Sequence, residues 1–291
     1  MKSTILCTMV FLLFPALLVF AQPQWKRSEP AQQVDLELFH ATMTGNFPTT
    51  ETINKGDFQF EISHRFLPPI SEGYDALWGL DGPVNIRIGL GYGITNRLMA
   101  TLSRSNVMGN LDLQLRYKLL QIRNNTLPGV VALQGGAAWN SNAPENLGRD
   151  DADPKNFQYY AQLIYNVMFL NKKFGVGVVP SYLYNSDIFS EDYEYTFTLG
   201  NYYQYYFNMK YSVWVEYNPI ITGYQGPIEY GKSEKLHNSL ALGFDVETGG
   251  HFFHLFITNN SYLNPSQFLV GADRSVSDGD WRIAFAITRH L

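Results

Sequence analysis

Between residues 111 and 119 the chain alternates without a break. Leu111, Leu113, Leu115, Tyr117 and Leu119 fall on one side, Asp112, Gln114, Arg116 and Lys118 on the other. Successive side chains of an extended strand point to opposite faces, so this segment reads as a strand with one greasy and one polar face. The pattern recurs along the chain. Phe58, Phe60, Ile62 and Phe66 oppose Asp57, Gln59, Glu61, Ser63 and Arg65. Val84, Ile86, Ile88, Leu90 and Tyr92 oppose Asn85, Arg87, Gly89 and Gly91. In 157–169 an apolar face from Phe157 to Phe169 opposes a mixed one. The fold class is therefore all-β.

A soluble sandwich also alternates, and composition separates the two cases. Charged residues are 16 % of the chain, against roughly 25 % in an ordinary soluble domain. Aromatics reach 15 %. After residue 21 no stretch approaches the roughly 18 consecutive apolar residues of a helical span. Few charges, abundant Tyr and Phe, and apolar residues dispersed along strands predict a transmembrane barrel. Residues 1–21 read as a secretory signal: Lys2 is their only charge, Ile5 to Phe20 is apolar apart from Thr8 and Pro15, and Val19-Phe20-Ala21 supplies small residues for cleavage. Cys7, the single cysteine, lies inside it, so the processed chain has no thiol chemistry and no disulfide. Losing Lys2 moves the net charge from −5 to −6, which argues against nucleic acid as a partner.

Strands are expected at about 57–66, 84–92, 97–105, 111–119, 129–139, 157–169, 173–184, 193–207, 211–220, 235–247, 251–260 and 281–290. Most approach the roughly 9–11 residues of a tilted transmembrane strand. Tight links (95–96, 171–172, 208–210, 249–250) broadly alternate with longer ones rich in Gly, Pro, Asn, Asp and Ser. Barrels have short turns at the periplasmic end and long loops outside. The expectation is a closed antiparallel barrel of twelve strands over residues 56–291, with a range of 12 to 14 because Val34–Met43 offers a further strand. Residues 22–55 are then a periplasmic lead or an added strand. Tyr202, Tyr203, Tyr205, Tyr206, Phe207, Tyr211 and Trp214 crowd one turn and predict an interfacial aromatic girdle.

The segments Ile62–Phe66 (ISHRF), Leu77–Ser105 (LWGLDGPVNIRIGLGYGITNRLMATLSRS) and Leu113–Leu120 (LQLRYKLL) resemble an outer-membrane barrel family catalogued as domain of unknown function 5777. The resemblance is densest over 57–120. It implies a β-barrel in the outer membrane of a diderm bacterium, and brings no substrate or catalytic residues with it. Many such barrels end on an aromatic residue in the lipid-facing register. Here Trp281, Ile283, Phe285 and Ile287 keep that register, Arg289 breaks it, and Leu291 ends the chain.

Several motifs invite chemistry and fail on geometry. Gly226–Ser233 (GPIEYGKS) spells a phosphate loop, yet a strand pattern rather than a helix follows it. His251 and His254 are three apart, so on a strand they face opposite ways and cannot share a metal. The same holds for adjacent Ser63 and His64, the one pair suggesting a lipid hydrolase. Glu145, Asp150, Asp151 and Asp153 make an acidic loop whose default reading is solvation. No catalytic residue, metal site or cofactor is expected.

The inward register is more informative. The early strands carry Arg65, Arg87, Arg116 and Lys118 beside Glu61 and Asp112; the later ones carry Glu194, Glu216, Asp245 and Glu247 without inward cations. Such charges, on opposite walls, line a passive pore for small polar solutes. The alternative is a filled, self-neutralised interior serving as a structural or partner-binding platform. A lipid-modifying enzyme is the third reading. Lipid is the expected surrounding.

Overall fold

The computed structural model describes residues 35–291. The expected signal segment, its cleavage point, Cys7 and residues 22–34 of the lead lie outside the described residues.

The strands are β1 Phe58–Phe66, β2 Val84–Thr95, β3 Leu98–Ser105, β4 Asn110–Ile122, β5 Gly129–Asn140, β6 Phe157–Phe169 and β7 Phe174–Tyr184. They continue as β8 Tyr195–Tyr206, β9 Tyr211–Asn218, β10 Ile220–Gly223, β11 Ser239–Thr248, β12 His251–Thr258 and β13 Arg282–His290. Each pairs antiparallel with its neighbour. Pairing of β1 with β13 and of β8 with β9 closes the ring. β9 and β10 form one stave broken at Pro219, which has no N–H to donate; the register with β8 shifts just beyond it. Twelve staves result. Closure leaves no free sheet edge, as a spanning sheet requires, because lipid offers no hydrogen bonds.

The alternation read from sequence becomes two surfaces. On β4, Leu113, Leu115 and Tyr117 are exposed on the outside, whereas Asp112, Gln114, Arg116 and Lys118 are buried inside. Tight turns and the approaches to β1 and from β13 lie at one end, the periplasmic one by the turn-length rule. Long loops lie at the other.

Three expectations change. Residues 35–43 add no stave; they enter the barrel. The expected strand 235–247 starts only at Ser239, because His237 pairs with Ala272 of the last long loop instead of with the wall. The aromatic crowd at the β8–β9 turn is split by the pleat. Tyr203, Tyr205, Phe207 and Tyr211 are exposed outside as a girdle, but Tyr202, Tyr206 and Trp214 are buried in the lumen.

Candidate functional site

The lumen is where sequence expectation and structure meet, and two segments of the chain fill it. From the periplasmic end, residues 35–55 run in, turn and run back before β1. The turn is a small hairpin: Thr49 N–H donates to the Thr42 carbonyl at 3.0 Å and Thr44 N–H to the Phe47 carbonyl at 3.0 Å, with Gly45 and Asn46 at the tip. Turn-forming Gly and Asn between Thr-rich arms make this local structure natural.

The charged wall residues hold this hairpin. Glu216 on β9 accepts from Asn46 N–H at 2.9 Å, Asn46 Nδ2 at 2.7 Å, Phe47 N–H at 3.3 Å and the Thr44 hydroxyl. Arg65 on β1 donates to the Gly45 carbonyl at 3.1 Å and to Asn46 Oδ1 at 3.0 Å. Its guanidinium carbon lies 4.4 Å from the centroid of Phe256. Arg116 on β4 donates to the carbonyls of Thr42 at 2.6 Å and Glu51 at 2.9 Å. Lys118 pairs with Glu51 at 3.0 Å. Buried backbone groups outside a sheet need partners, and the wall supplies them here.

Shape matches as well as charge. A Cβ on Gly200 of β8 lies 2.2 Å from Phe47, one on Gly175 of β7 2.5 Å from Phe39, and one on Gly91 of β2 2.7 Å from Ile53. The relation is reversed at the tip, where a Cβ on Gly45 lies 2.3 Å from Trp214 of β9. A larger residue at Gly200 or Gly45 drives into the buried ring of Phe47 or Trp214 and so pushes the hairpin and wall apart, whereas at Gly91 it meets only the flexible end of Ile53.

From the outer end, residues 259–274 fold inward. Asn264 Oδ1 accepts from Arg87 Nε at 2.8 Å and the Ser103 hydroxyl at 3.0 Å, and Asn264 Nδ2 donates to Asn110 Oδ1 at 2.6 Å. Gln267 donates to the Val107 carbonyl at 2.8 Å. Phe268 meets Phe47 edge to face, with centroids 5.1 Å apart. The two inserts thus touch in mid-lumen. A cavity of about 670 Å³ remains at the periplasmic mouth and one of about 450 Å³ at the outer mouth, and about 30 Å³ in mid-lumen.

The remaining expected residues are also placed. Glu61 pairs with Arg87 and accepts from Ser63. Asp112 accepts from the Tyr160 hydroxyl at 2.9 Å. Asp245 accepts from Trp214 Nε1 at 2.7 Å, Gln204 at 2.8 Å and Ser212 at 3.2 Å, and lies 2.8 Å from His254 Nδ1. Glu247, at the periplasmic mouth, meets His40 at 2.8 Å. Glu194 is a correction: it precedes β8, in the β7–β8 loop, and lines no wall. The positive and negative walls do not face each other across water; the inserts and local partners occupy the space between them.

His251 and His254 do lie on opposite faces: His254 is buried at Asp245, and His251 contacts Arg289 outside at 3.0 Å. Ser63 faces the lumen and His64 the lipid side, stacked on Phe285 at 4.4 Å. Gly226–Ser233 lies in a loop with no helix after it. In the acidic loop, Asp153 caps a turn by accepting from Lys155 N–H at 2.8 Å. Among the described residues no group of three or more His, Cys, Asp or Glu converges as a metal site.

Strand periodicity does not reveal the inserts. They carry a different signal: Phe39, Phe47 and Ile53 in the lead, and Tyr262, Leu263, Phe268, Leu269 and Val270 in the last loop, are too apolar for segments bathed in water.

The chain belongs to the family described as a membrane-bound β-barrel domain. The match covers residues 39–291 and so takes in the inner hairpin as well as the staves. No curated protein matches. Among solved structures, the chain is similar to the NanC porin, at 7 % identity and a TM-score of 0.46, covering 80 % of this chain and 97 % of that one. It is also similar to an outer membrane channel from Pseudomonas putida F1, at 13 % identity and a TM-score of 0.46, covering 83 % and 98 %. LpxR from Salmonella typhimurium is similar at 13 % identity and a TM-score of 0.38, covering 79 % and 99 %.

Proposed function

We propose that this outer-membrane barrel is closed by its own chain and serves as a structural or partner-binding platform, not as a constitutively open pore. The observation that supports this most is the seating of the inner hairpin. Its tip carbonyl and N–H groups are taken up by Arg65 and Glu216, and its aromatic side chains enter spaces left by wall glycines. A water-filled pore needs its inward charges solvated; here Arg65, Arg87, Arg116, Lys118 and Glu216 are buried. Planar bilayer recording on the purified protein tests the reading. The expected trace is flat, and steady conductance steps from the unaltered protein overturn it.

The second reading is a channel for small solutes opened by withdrawal of the inner hairpin. The cavities at the two mouths, separated by a mid-lumen void of only about 30 Å³, favour it. Rare, brief openings whose ion selectivity changes in Arg116→Glu support this reading over the platform. A lipid-modifying role has little to rest on. His64 faces lipid near the outer rim, but the outward neighbours across from it are Ile86 and Phe285, and neither is a nucleophile.

A further inference from the structure

The outer ends of the staves are unevenly dressed. On β5 to β8 the outward positions there are aromatic. Trp139 stacks with Phe157, Tyr182 with Tyr195, and Tyr184 with Tyr193 in the adjoining loop. On β1 to β4 the corresponding positions are His64, Phe66, Val84, Ile86, Arg104 and Leu111, with no Tyr or Trp. Three staves on this side are also short. β1 and β13 have 9 residues and β3 has 8, whereas β5 to β8 have between 11 and 13.

The loop after Phe66 carries what these staves lack. In residues 67–83, Tyr74 is 77 % exposed, Leu77 47 %, Trp78 48 % and Leu80 40 %. These side chains are held out by a tightly folded backbone. Leu77 and Trp78 both adopt the left-handed region, with φ of 47° and 53°, a conformation that bulky residues avoid. Trp78 N–H donates to the Gly73 carbonyl at 2.7 Å, Leu67 N–H to the Pro83 carbonyl at 3.0 Å, and Ile70 N–H to the Trp281 carbonyl at 2.7 Å. Gly79 packs so closely on Pro68 that a Cβ there lies 2.5 Å from its carbonyl oxygen. Tyr74 and Trp78 meet edge to face at 5.8 Å. The chain keeps a strained backbone whose effect is to present apolar surface to the outside.

We infer that this loop is a membrane anchor: Tyr74, Leu77, Trp78 and Leu80 insert into the outer-leaflet interface and complete the aromatic belt over β1 to β4. Aromatic rings with an apolar body and a polar edge favour that depth. The loop that carries the surface begins one residue beyond Phe66, the lipid-facing end of β1, and its other end enters β2 at Val84, so it adjoins an interface the barrel already has. Residues 67–83 contain Glu72, Asp75 and Asp81 and no Lys or Arg. The attraction is therefore apolar and independent of anionic headgroups. The inference does not depend on whether the lumen opens.

The test uses the full barrel in phosphatidylcholine vesicles and compares it with Trp78→Phe, so that the difference in emission isolates Trp78 from the other tryptophans. Lipids brominated near the top of their acyl chains are expected to remove most of the Trp78 emission, and aqueous acrylamide to quench it several-fold less than it quenches free tryptophan. High salt leaves both results unchanged. Tyr74→Trp placed on the Trp78→Phe background gives a second reporter, which guards against a loop altered by the first substitution; the same quenching is expected. Emission that resists the brominated lipids and yields fully to acrylamide at both positions overturns the inference, and so does a salt-dependent result.

Discussion

The hairpin at residues 41–50 and the outer insert at 259–274 both fill the lumen, but the wall meets them with different groups. The hairpin is received by Arg65, Arg116 and Glu216, with Lys118 on the neighbouring Glu51. The part of the outer insert that reaches mid-lumen, residues 261–272, is received mostly by neutral groups, Asn110, Ser103 and the Val107 carbonyl, with Arg87 reaching Asn264. At its root Arg282 of β13 makes a two-point ion pair with Asp273 at 2.7 and 3.0 Å. Their tethers differ too. β12 and β13 hold the outer insert at both ends, whereas among the described residues the hairpin continues into a stave only at β1. A segment held at both ends has less conformational freedom to gain on leaving, so few strong bonds are needed to keep it. The hairpin is kept in place by ionic hydrogen bonds, each stronger than a neutral one. In mid-lumen, buried wall charge is thus met mainly by the segment that has the most freedom to leave; at the outer end, the Arg282–Asp273 pair braces the root of the other.

This comparison breaks most easily by deletion. Removing residues 38–53 strips the hairpin's partners from Arg116, Lys118 and Glu216, which then draw in water; replacing 261–272 by a short Gly-Ser link leaves mostly amides. Planar bilayers should show the larger and steadier conductance after the first deletion, and the reverse order sinks the asymmetry.

Point changes sharpen it. Arg116→Met orphans two buried carbonyls and the local balance of Glu51, and should cost about 3 kcal/mol. Asn264→Ala removes neutral bonds and one charged donor, at about 1–2 kcal/mol. Urea unfolding midpoints of the reconstituted barrels rank the two.

Shape comes next. Gly200→Leu drives a side chain into Phe47 and should destabilise by about 1–3 kcal/mol. Gly135→Ala, where the nearest atom to a Cβ is the Tyr160 carbonyl oxygen at 3.6 Å, is the matched control and should be close to neutral in the same measurement.

The smallest effect concerns pH at the hairpin's approach. Burial pushes the Asp35 carboxyl up, but hydrogen bonds from Gln121 and Arg97 outweigh it and hold the group below the ordinary aspartate value. A depressed folded value means that stability is present above the unfolded value, about 3.9, and is lost as pH falls through the folded one. Limited proteolysis near residue 35 should therefore quicken below about pH 4, and the increase should be absent in Asp35→Asn. The partly exposed Arg97 limits the contribution to less than about 1 kcal/mol.

Much of the molecule is legible in the amino-acid order. The β4 and β6 alternations place their staves to within a few residues, because a strand's two faces differ in environment at every step. Arg65, Arg87, Arg116, Lys118 and Glu216 fall on the inward register for the same reason. Glu194 misleads because β8 begins only at Tyr195, so the period does not extend to it. Tyr202 and Trp214 read as girdle residues because period two tells only that faces alternate, and an aromatic residue suits either a lipid face or a packed lumen.

By itself the sequence determined that this chain makes spanning strands with one face in lipid, about how many, and where the turns fall. All of that is written in neighbours two residues apart and in the short links between them. Only the tertiary structure decided that the inside is filled. Phe47 meets Phe268, and Asn46 meets Glu216, across the greater part of the chain length. Contacts so remote in sequence leave no local periodicity, and closure of the ring is what brings their partners together.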